Sequence, residues 1–272
     1  MKKFSKFLVV FVSLLAILVR LLIVSCSFPS SAIKENVKSS SITLTHEGNR
    51  KVCFIMNKFQ YQEFDNYSDS LMINTAYSID SKMPIYSAFT AKKDYIPGVT
   101  KTISEDNIGE LKSNSKYEKH DEVSELADTV NGVGEESFEY AKYWHGYLMI
   151  LRPLLLVFDY QQIRVFLTFI LACLAIFVTN AIAEKKDKIV ASLFLLSLVS
   201  VEYFYIGLSL LNSIMFLIMM ISSLVIIKRY EKIKDFGLFF FIIGMCVRLF
   251  WVIRYPINYF RLPLNFILFI KR

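Results

Sequence analysis

The sequence is poor in the residues and motifs from which recognisable soluble catalytic sites are built. Its 272 residues include three histidines, four cysteines and nine glycines. It contains no Walker A loop, no G-x-G-x-x-G, no H-E-x-x-H and no G-x-S-x-G, which argues against a P-loop ATPase, a Rossmann enzyme, a zinc protease and an esterase. Because no C-x-x-C or Cys/His spacing is present, we predict no metal site built from these ligands.

Apolar residues are abundant and unevenly distributed. They make up 54% of the chain, which is high for a soluble domain. Residues 7–25 and 147–270 consist mostly of Leu, Ile, Val and Phe, whereas residues 27–143 are mixed and polar. This distribution predicts an all-α membrane protein with one large polar loop.

The segments predict four regions in chain order. These are a signal-anchor transmembrane helix at 1–26, an extracytoplasmic loop domain at 27–143, an interfacial or re-entrant helix at 144–160 and a transmembrane bundle at 161–272. Within the bundle we predict about four spans, at 163–183, 189–205, 208–227 and 236–254. A last apolar run at 262–270 is shorter than the roughly 20 residues that cross a bilayer. It is therefore either a tail lying against the bundle or the start of a span in a truncated chain.

Charge placement predicts the orientation. The whole chain carries +7, but residues 27–143 hold 13 lysines and arginines against 18 aspartates and glutamates. The basic residues elsewhere form short runs between apolar segments, which is typical of cytoplasmic loops. We therefore expect a cytoplasmic N-terminus, an extracytoplasmic loop, the lipid bilayer as a partner, and no nucleic acid. Arg20 inside the first apolar run, and the spans that follow, favour an uncleaved signal anchor over a cleaved leader.

Local patterns predict some structure inside the polar loop. Short β-like alternation occurs at 39–44 and 52–56. Residues 68–80 have helical spacing, with Ser68 or Asp69 as the cap. Residues 98–135 are rich in Gly, Ser, Asn, Lys and Glu, which is typical of a flexible surface loop.

Two aspartates bracket the predicted helix and are candidate catalytic residues. A carboxylate at Asp69 or Asp80, near the membrane surface, is suited to act as a general base toward a sugar hydroxyl or to bind a divalent cation. The alternative is structural, with Asp69 as the helix cap and Asp80 as a turn residue. No cofactor is predicted beyond such a cation.

His145, in Trp144-His145-Gly146, is the third candidate catalytic residue. Its imidazole is suited to donate a proton or to bind a phosphate. The alternative is a histidine packed among the surrounding aromatic rings.

Three arginines and one glutamate are candidate substrate-binding residues. Arg152, Arg248 and Arg254 should lie toward the outer leaflet, where positive charge is not expected. Ionisable groups within apolar segments are commonly paired or functional, so the arginines form a candidate site for a lipid-linked phosphate. Glu202 is either part of the same site or the ion-pair partner of Arg248. Arg254 and Arg261 also fit a role at the headgroups.

Two blocks of the sequence carry a family resemblance. One is 69–80, DSLMINTAYSID; the other runs from YWHGY at 143–147 through LRPLLL at 151–156 to Asp159-Tyr160 and Ile163-Arg164. Together they resemble segments of uncharacterised multi-pass membrane proteins of Gram-positive bacteria, whose layout is similar to GT-C class glycosyltransferases. The resemblance implies transfer of a sugar from a polyprenyl-phosphate donor to an envelope glycan. This chain departs from that class in having fewer spans. The class also places an acidic residue close after the first span, where Glu35 is the nearest candidate in this sequence and the aspartates lie about 40 residues further on.

Three functional hypotheses remain open at this point. The first is a GT-C-like glycosyltransferase of the cell envelope, in which Asp69 or Asp80 is the base, the arginines hold the donor phosphate and His145 assists the leaving group. The second is a non-catalytic membrane or assembly protein that binds a partner through its loop. The third is a transporter or flippase subunit, which needs a polar path through the spans.

Overall fold

The computed structural model describes residues 2–48, 50–55, 59–95, 122–133, 136–139 and 144–250. Within these residues the fold is mainly helical and includes two short two-stranded antiparallel sheets. The helices are α1 (Lys2–Cys26), α2 (Ser30–Glu47), α3 (Asn66–Tyr77), α4 (Pro84–Thr90), α5 (Glu122–Val130), α6 (Leu148–Leu155), α7 (Tyr160–Lys185), α8 (Lys188–Ser200), α9 (Leu210–Arg229) and α10 (Phe236–Phe250). The strands are β1 (Arg50–Ile55), β2 (Phe59–Asp65), β3 (Lys92–Tyr95) and β4 (Glu136–Glu139).

Among the described residues, three helices are long and apolar enough to cross a membrane: Phe4–Cys26, Tyr160–Lys185 and Leu210–Lys232, the last including a turn beyond α9. Large apolar side chains such as Leu8, Phe169 and Ile221 are exposed on these helices, as expected where lipid is the solvent, and Arg20 of α1 is exposed as well. The predicted all-α membrane class is confirmed at this level. The predicted spans at 163–183 and 208–227 coincide with α7 and α9 to within a few residues.

The second predicted span, 189–205, is not one continuous helix. Its α-helical part, α8, has 13 residues, about 20 Å of helix. A 3-10 segment, Tyr203–Leu208, continues the path and adds about 12 Å. The Tyr203 hydroxyl donates to the Leu171 carbonyl at 3.0 Å, and Arg164 Nε donates to the Leu208 carbonyl at 2.9 Å. Together α8 and the 3-10 segment therefore run antiparallel along α7.

The break lies at Glu202, whose backbone is left-handed at φ 55°. Beyond it, Gly207 lies so close to α7 that a Cβ at this position would be 2.6 Å from the Cα of Thr168. Irregular backbone inside an apolar bundle is stable where neighbouring helices cover it. Here α7 provides that cover.

At the opposite end of the bundle α1 and α10 meet. Lys6 Nζ lies 3.2 Å from Asp235 Oδ2, and the Phe7 and Phe241 rings pack edge to face. Asp235 also accepts from the backbone N–H of Leu238 in the first turn of α10, so this carboxylate serves both helices. The first residues of α1 thus lie beside the start of α10.

The polar domain packs on the other end of the bundle. One buried cluster joins Leu22 and Cys26 of α1 with Leu44 of α2, Ile73 of α3 and Leu126 of α5. It continues through Leu148, Leu151 and Leu155 of α6 into α7 and α9. Because one apolar core runs through both parts, the domain and the spans form a single packed body.

Two predictions inside the polar domain are corrected. Residues 39–44 are helical, within α2, because Ile33, Val37, Ser40, Ser41 and Leu44 bury one face at helical spacing. Residues 122–130, predicted as flexible, form α5, whose buried residues include Val123, Leu126 and Val130. The predicted strand at 52–56 overlaps β1, which pairs with β2. The rest of the predicted flexible loop lies outside the described residues.

Helix α6 falls within the predicted interfacial segment 144–160. Its residues Leu148, Leu151, Arg152 and Leu155 are buried, and it contacts α1, α2, α3 and α7. Pro153 lies within the helix, and the helix ends two residues later. In the structure α6 is thus a central element between the domain and the bundle.

Candidate functional site

The most concentrated polar cluster of the described chain surrounds Arg164. Its Nη1 contacts both carboxylate oxygens of Glu47 at 2.9 Å, and its Nη2 donates to Asn66 Oδ1 at 2.7 Å. The same Nη2 donates to the Tyr160 hydroxyl at 2.5 Å, and the guanidinium carbon lies 3.9 Å from the Tyr160 ring centre. Arg164 is 4% exposed, and the Glu47 carboxylate neutralises its charge inside the protein.

Asp69 completes this cluster. It is fully buried, and its Oδ2 accepts from the Tyr160 hydroxyl at 2.6 Å and from the backbone N–H of Leu210 at 3.2 Å. Its Oδ1 has no hydrogen-bond partner within the described residues. Burial raises the pKa of the Asp69 carboxyl to about 7, against the opposing effect of the Tyr160 hydrogen bond.

The local sequence explains why these residues meet. Helices α3, α7 and α9 all begin here, and the N-terminus of a helix carries a partial positive charge. The start of α7 is fixed by a capping box, in which Asp159 and Gln162 exchange side-chain and backbone hydrogen bonds. Glu47, at the end of α2, supplies negative charge to Arg164, and Asp69 accepts the first backbone N–H of α9.

Arg152 forms a second, separate buried site. It is fully buried, and its guanidinium donates to three backbone carbonyls: Ser25 at 3.0 Å, Phe28 and Ala76. Burial lowers the pKa of Arg152 to about 10. Ser25 and Ala76 lie in the last turns of α1 and α3, where unpaired carbonyls accumulate. A phosphate outside the protein does not reach this side chain in the structure.

The other two predicted catalytic residues occupy different places. Asp80 Oδ1 accepts from the backbone N–H of Lys82 at 2.9 Å, as expected of the alternative turn role. It follows the C-terminal end of α3, whereas Asp69 lies in the first turn. The 11 positions between them span about 16 Å of helix, so the two carboxylates do not form one site. His145 is 2% exposed, and its Nδ1 lies 3.2 Å from the Tyr147 hydroxyl.

The alternative in which Asp69 caps the helix is wrong. Helix α3 begins at Asn66, preceded by Asp65, whose side chain accepts from the Ser68 hydroxyl at 2.8 Å. Asp69 instead faces the core and serves the N-terminus of another helix, α9.

Glu202 and Arg248 are both exposed, and no ion pair joins them in the part of the chain that the structure describes. The suggested pairing of the two is therefore wrong for this arrangement. Glu202 lies at the break after α8, whereas Arg248 lies in the last turn of α10, a helix that contacts α9 and α1. Arg254 lies outside the described residues, and its predicted role stays a prediction.

Sequence reasoning missed Arg164 and its partners Glu47, Asn66 and Tyr160. The available signal was an arginine one residue inside a predicted span, the same signal by which Arg152 was selected. Glu47 and Asn66 gave no signal, because polar residues within a polar loop are ordinary until the fold brings them against an apolar helix.

The arrangement binds charge within the protein instead of presenting it to a ligand. No group of three or more His, Cys, Asp or Glu side chains is close enough to hold a metal ion among the described residues. An open groove on α7 is lined by Phe158, Gln161, Gln162, Val165, Phe166 and Phe169. None of the predicted site residues lines it.

Comparison of the chain with models of protein families, with curated proteins and with solved structures finds no match.

Proposed function

We propose that this is an integral membrane protein of the cell envelope that acts without catalysis, as a membrane-held platform whose polar domain binds a partner. The observation that supports this best is the burial of the chemically capable residues. Asp69, His145 and Arg152 are each at most 2% exposed. Asp69 accepts a hydrogen bond from the start of α9, and Arg152 donates to the ends of α1 and α3. These contacts connect the domain to the bundle.

In this proposal, the rigid attachment of the polar domain to the membrane helices fixes its position relative to the bilayer. A domain that is joined to its membrane helices by two buried arginine sites and one continuous apolar core does not swing on a linker. Its surface therefore keeps a fixed height and angle relative to the bilayer. A partner that binds it gains an oriented anchor with little further loss of conformational freedom.

The proposal includes an orientation. The basic residues near the start of α1 and those at the ends of α7 and α9 belong to one end of the bundle. Under the positive-inside rule this end is cytoplasmic, and the polar domain is extracytoplasmic. Protease added to intact cells should then cleave within the polar domain and spare the basic loops.

The test is complementation of a strain from which the gene has been deleted. Asp69→Asn and His145→Gln remove the chemistry but retain size and hydrogen-bonding capacity, so we expect full complementation at unchanged protein level. Arg164→Ala serves as the matched structural variant and should lower the amount of protein. Loss of complementation by Asp69→Asn, with normal amounts of folded protein in the membrane, would contradict the platform proposal.

The second candidate is the GT-C-like sugar transferase, and one observation favours it. A carboxyl whose pKa is about 7 is suited to general-base catalysis near neutral pH. In this case Asp69→Asn abolishes a lipid-linked-sugar-dependent glycan product, and the wild-type rate rises through a pH near 7. A transfer reaction also requires a conformation in which the acceptor reaches Asp69.

The transporter hypothesis gains no comparable support. The hydroxyls of Ser222 and Ser223 in α9 donate to backbone carbonyls one turn earlier in the same helix. The Ser213 hydroxyl bonds to the carbonyls of Ser209 and Ile206, just before that helix. These side chains are therefore satisfied locally and do not form a polar path between helices.

A further inference from the structure

Helix α4 exposes its large apolar residues and buries its small ones, which is the reverse of the pattern in a soluble amphipathic helix. Its small residues Ser87 and Ala88 are buried, whereas Ile85 and Phe89 are 62% and 54% exposed. Met83 and Tyr86 extend the exposed face at 48% and 44%. Three large side chains on one exposed face of this seven-residue helix, with Met83 just before it, form a patch of a kind that soluble surfaces rarely carry.

The position of α4 identifies what covers this patch. The helix packs against α1, and Ala88 belongs to the same buried cluster as Leu22 and Cys26, at the end of the first membrane-crossing helix. On α1 itself, Leu21 and Val24 are exposed at 51% and 54%. The exposed face of α4 therefore continues the lipid-facing surface of α1 at the level where that helix leaves the membrane.

The flanking residues are those of a membrane interface. Phe89 packs edge to face against Trp144, with ring centres 6.4 Å apart, and aromatic rings concentrate at headgroup level. The Tyr86 hydroxyl donates to Glu139, so its polar end is satisfied while its ring remains outward. Lys82 and Lys92, at the two ends of the helix, are placed to reach lipid phosphates.

We infer that α4 is an interfacial helix that inserts Met83, Ile85, Tyr86 and Phe89 into the leaflet in which α1 ends. The polar domain is then held on the membrane at a second point, beside its helical anchor. The predicted interfacial segment 144–160 supplies Trp144 to this surface, but its helix α6 is covered by other elements. The membrane-contacting role thus falls mainly to a helix that sequence patterns did not single out.

The test uses the full chain in vesicles of equal parts phosphatidylcholine and phosphatidylglycerol, with a phosphatidylcholine that carries a diazirine high on one acyl chain. Trypsin releases α4 as residues 83–92. Trypsin also releases residues 39–50, which include the end of α2, as the matched control. In this peptide Ile42 is 65% exposed, and the peptide is distant from α4 in sequence. We expect lipid-derived carbene to label the α4 peptide at least about fivefold more than the control. A water-soluble diazirine should give the opposite preference.

Equal lipid labelling of the two peptides would overturn the inference. So would protection of the α4 peptide from both reagents, since that outcome means that a protein surface covers it. The double variant Ile85→Asp with Phe89→Asp should reduce lipid labelling of residues 83–92 to the control level. Its helical content is checked by circular dichroism, and the wild-type ratio decides the question even where this variant does not fold.

Discussion

Arg152 and Arg164 are both buried, yet the structure neutralises their charges in different ways. Arg152 lies where α1 and α3 end and is bound by backbone carbonyls alone. Arg164 lies where α3, α7 and α9 begin and is bound by the Glu47 carboxylate, with Asp69 close by. Helix C-termini supply partial negative charge from the backbone, whereas helix N-termini require acidic side chains.

The difference predicts how each site fails when its arginine is removed. Arg152→Ala removes the guanidinium that donates to the Ala76 and Phe28 carbonyls and leaves the Ser25 carbonyl with only the Phe28 N–H, at 3.4 Å. Each orphaned buried group costs roughly 1–3 kcal/mol. We expect the free energy of unfolding in nanodiscs to fall by about 3–5 kcal/mol, which is the largest effect. Arg152→Lys keeps the charge and part of the hydrogen bonding, so it should lose about half as much. Equal stability of the alanine variant and the wild type would show that the carbonyls find other donors.

Asp69 predicts a pH dependence of stability below and near pH 7, a range in which Arg152, with a pKa of about 10, stays charged. Its pKa is about 7 in the folded protein against the ordinary 3.8, so between these values the folded state binds the proton more tightly than the unfolded state. The contribution is therefore fully present at low pH and lost as pH rises through 7. The loss amounts to at most about 4 kcal/mol.

The measurement is thermal unfolding across pH 4 to 8 for wild type and Asp69→Asn. The variant carries no titrating group at this position, so the difference in stability between the two proteins should shift in favour of the variant as pH increases. A difference that stays constant across this range would mean that Asp69 is ionised throughout.

Arg164 and Glu47 should behave as a coupled pair. Removing either partner leaves the other charge unpaired and partly buried, which lowers stability, whereas replacing both partners leaves no unpaired charge. A double-mutant cycle of Arg164→Met and Glu47→Gln should give a coupling energy of about 1–3 kcal/mol. Arg164→Met with Lys6→Met is the matched control, because Lys6 pairs with Asp235 at the other end of the bundle. Additive effects in the first cycle would contradict the pairing.

Two small substitutions probe the broken segment after α8. Gly207→Ala places a Cβ against Thr168 and should cost about 1–3 kcal/mol by overpacking. Gly237→Ala is the control, since the nearest atom to its Cβ would be 3.4 Å away. If both variants unfold at the same temperature, the contact between the 3-10 segment and α7 is looser than described.

The smallest effect is expected at Glu202. Its left-handed backbone favours glycine, so Glu202→Gly should stabilise the fold by about 1 kcal/mol. Glu202→Ala keeps the backbone strain while removing the same charge, and it separates the two contributions. If the glycine variant is no more stable than the alanine variant, the left-handed backbone at position 202 carries no measurable strain.

The sequence allowed prediction of those features that depend on composition over a long window. Helices α1, α7 and α9 followed from apolar runs of about 20 residues, and α3 from its helical spacing. The helix α2 was not predicted, because alternation at residues 39–44 resembled a strand and only the full 18 residues reveal the buried helical face. Short windows do not distinguish the two periods when serines occupy half of the positions.

The site was predicted in part. Asp69 and Arg152 were selected from their positions, but their partners depend on which helix ends the fold brings together. The sequence does not distinguish the site of Arg152 from that of Arg164, because both are single arginines beside apolar runs. Which helix termini surround each arginine is a property of the tertiary structure alone.

The shortness of α8 has a consequence for how the chain enters a membrane. With 13 residues it is too short to partition into lipid as an independent helix, since about 20 are needed. The 3-10 segment after it depends on α7 for its hydrogen bonds at Leu171 and Arg164. Residues 160–229 should therefore leave the insertion machinery together, as one unit of three segments, and not one helix at a time.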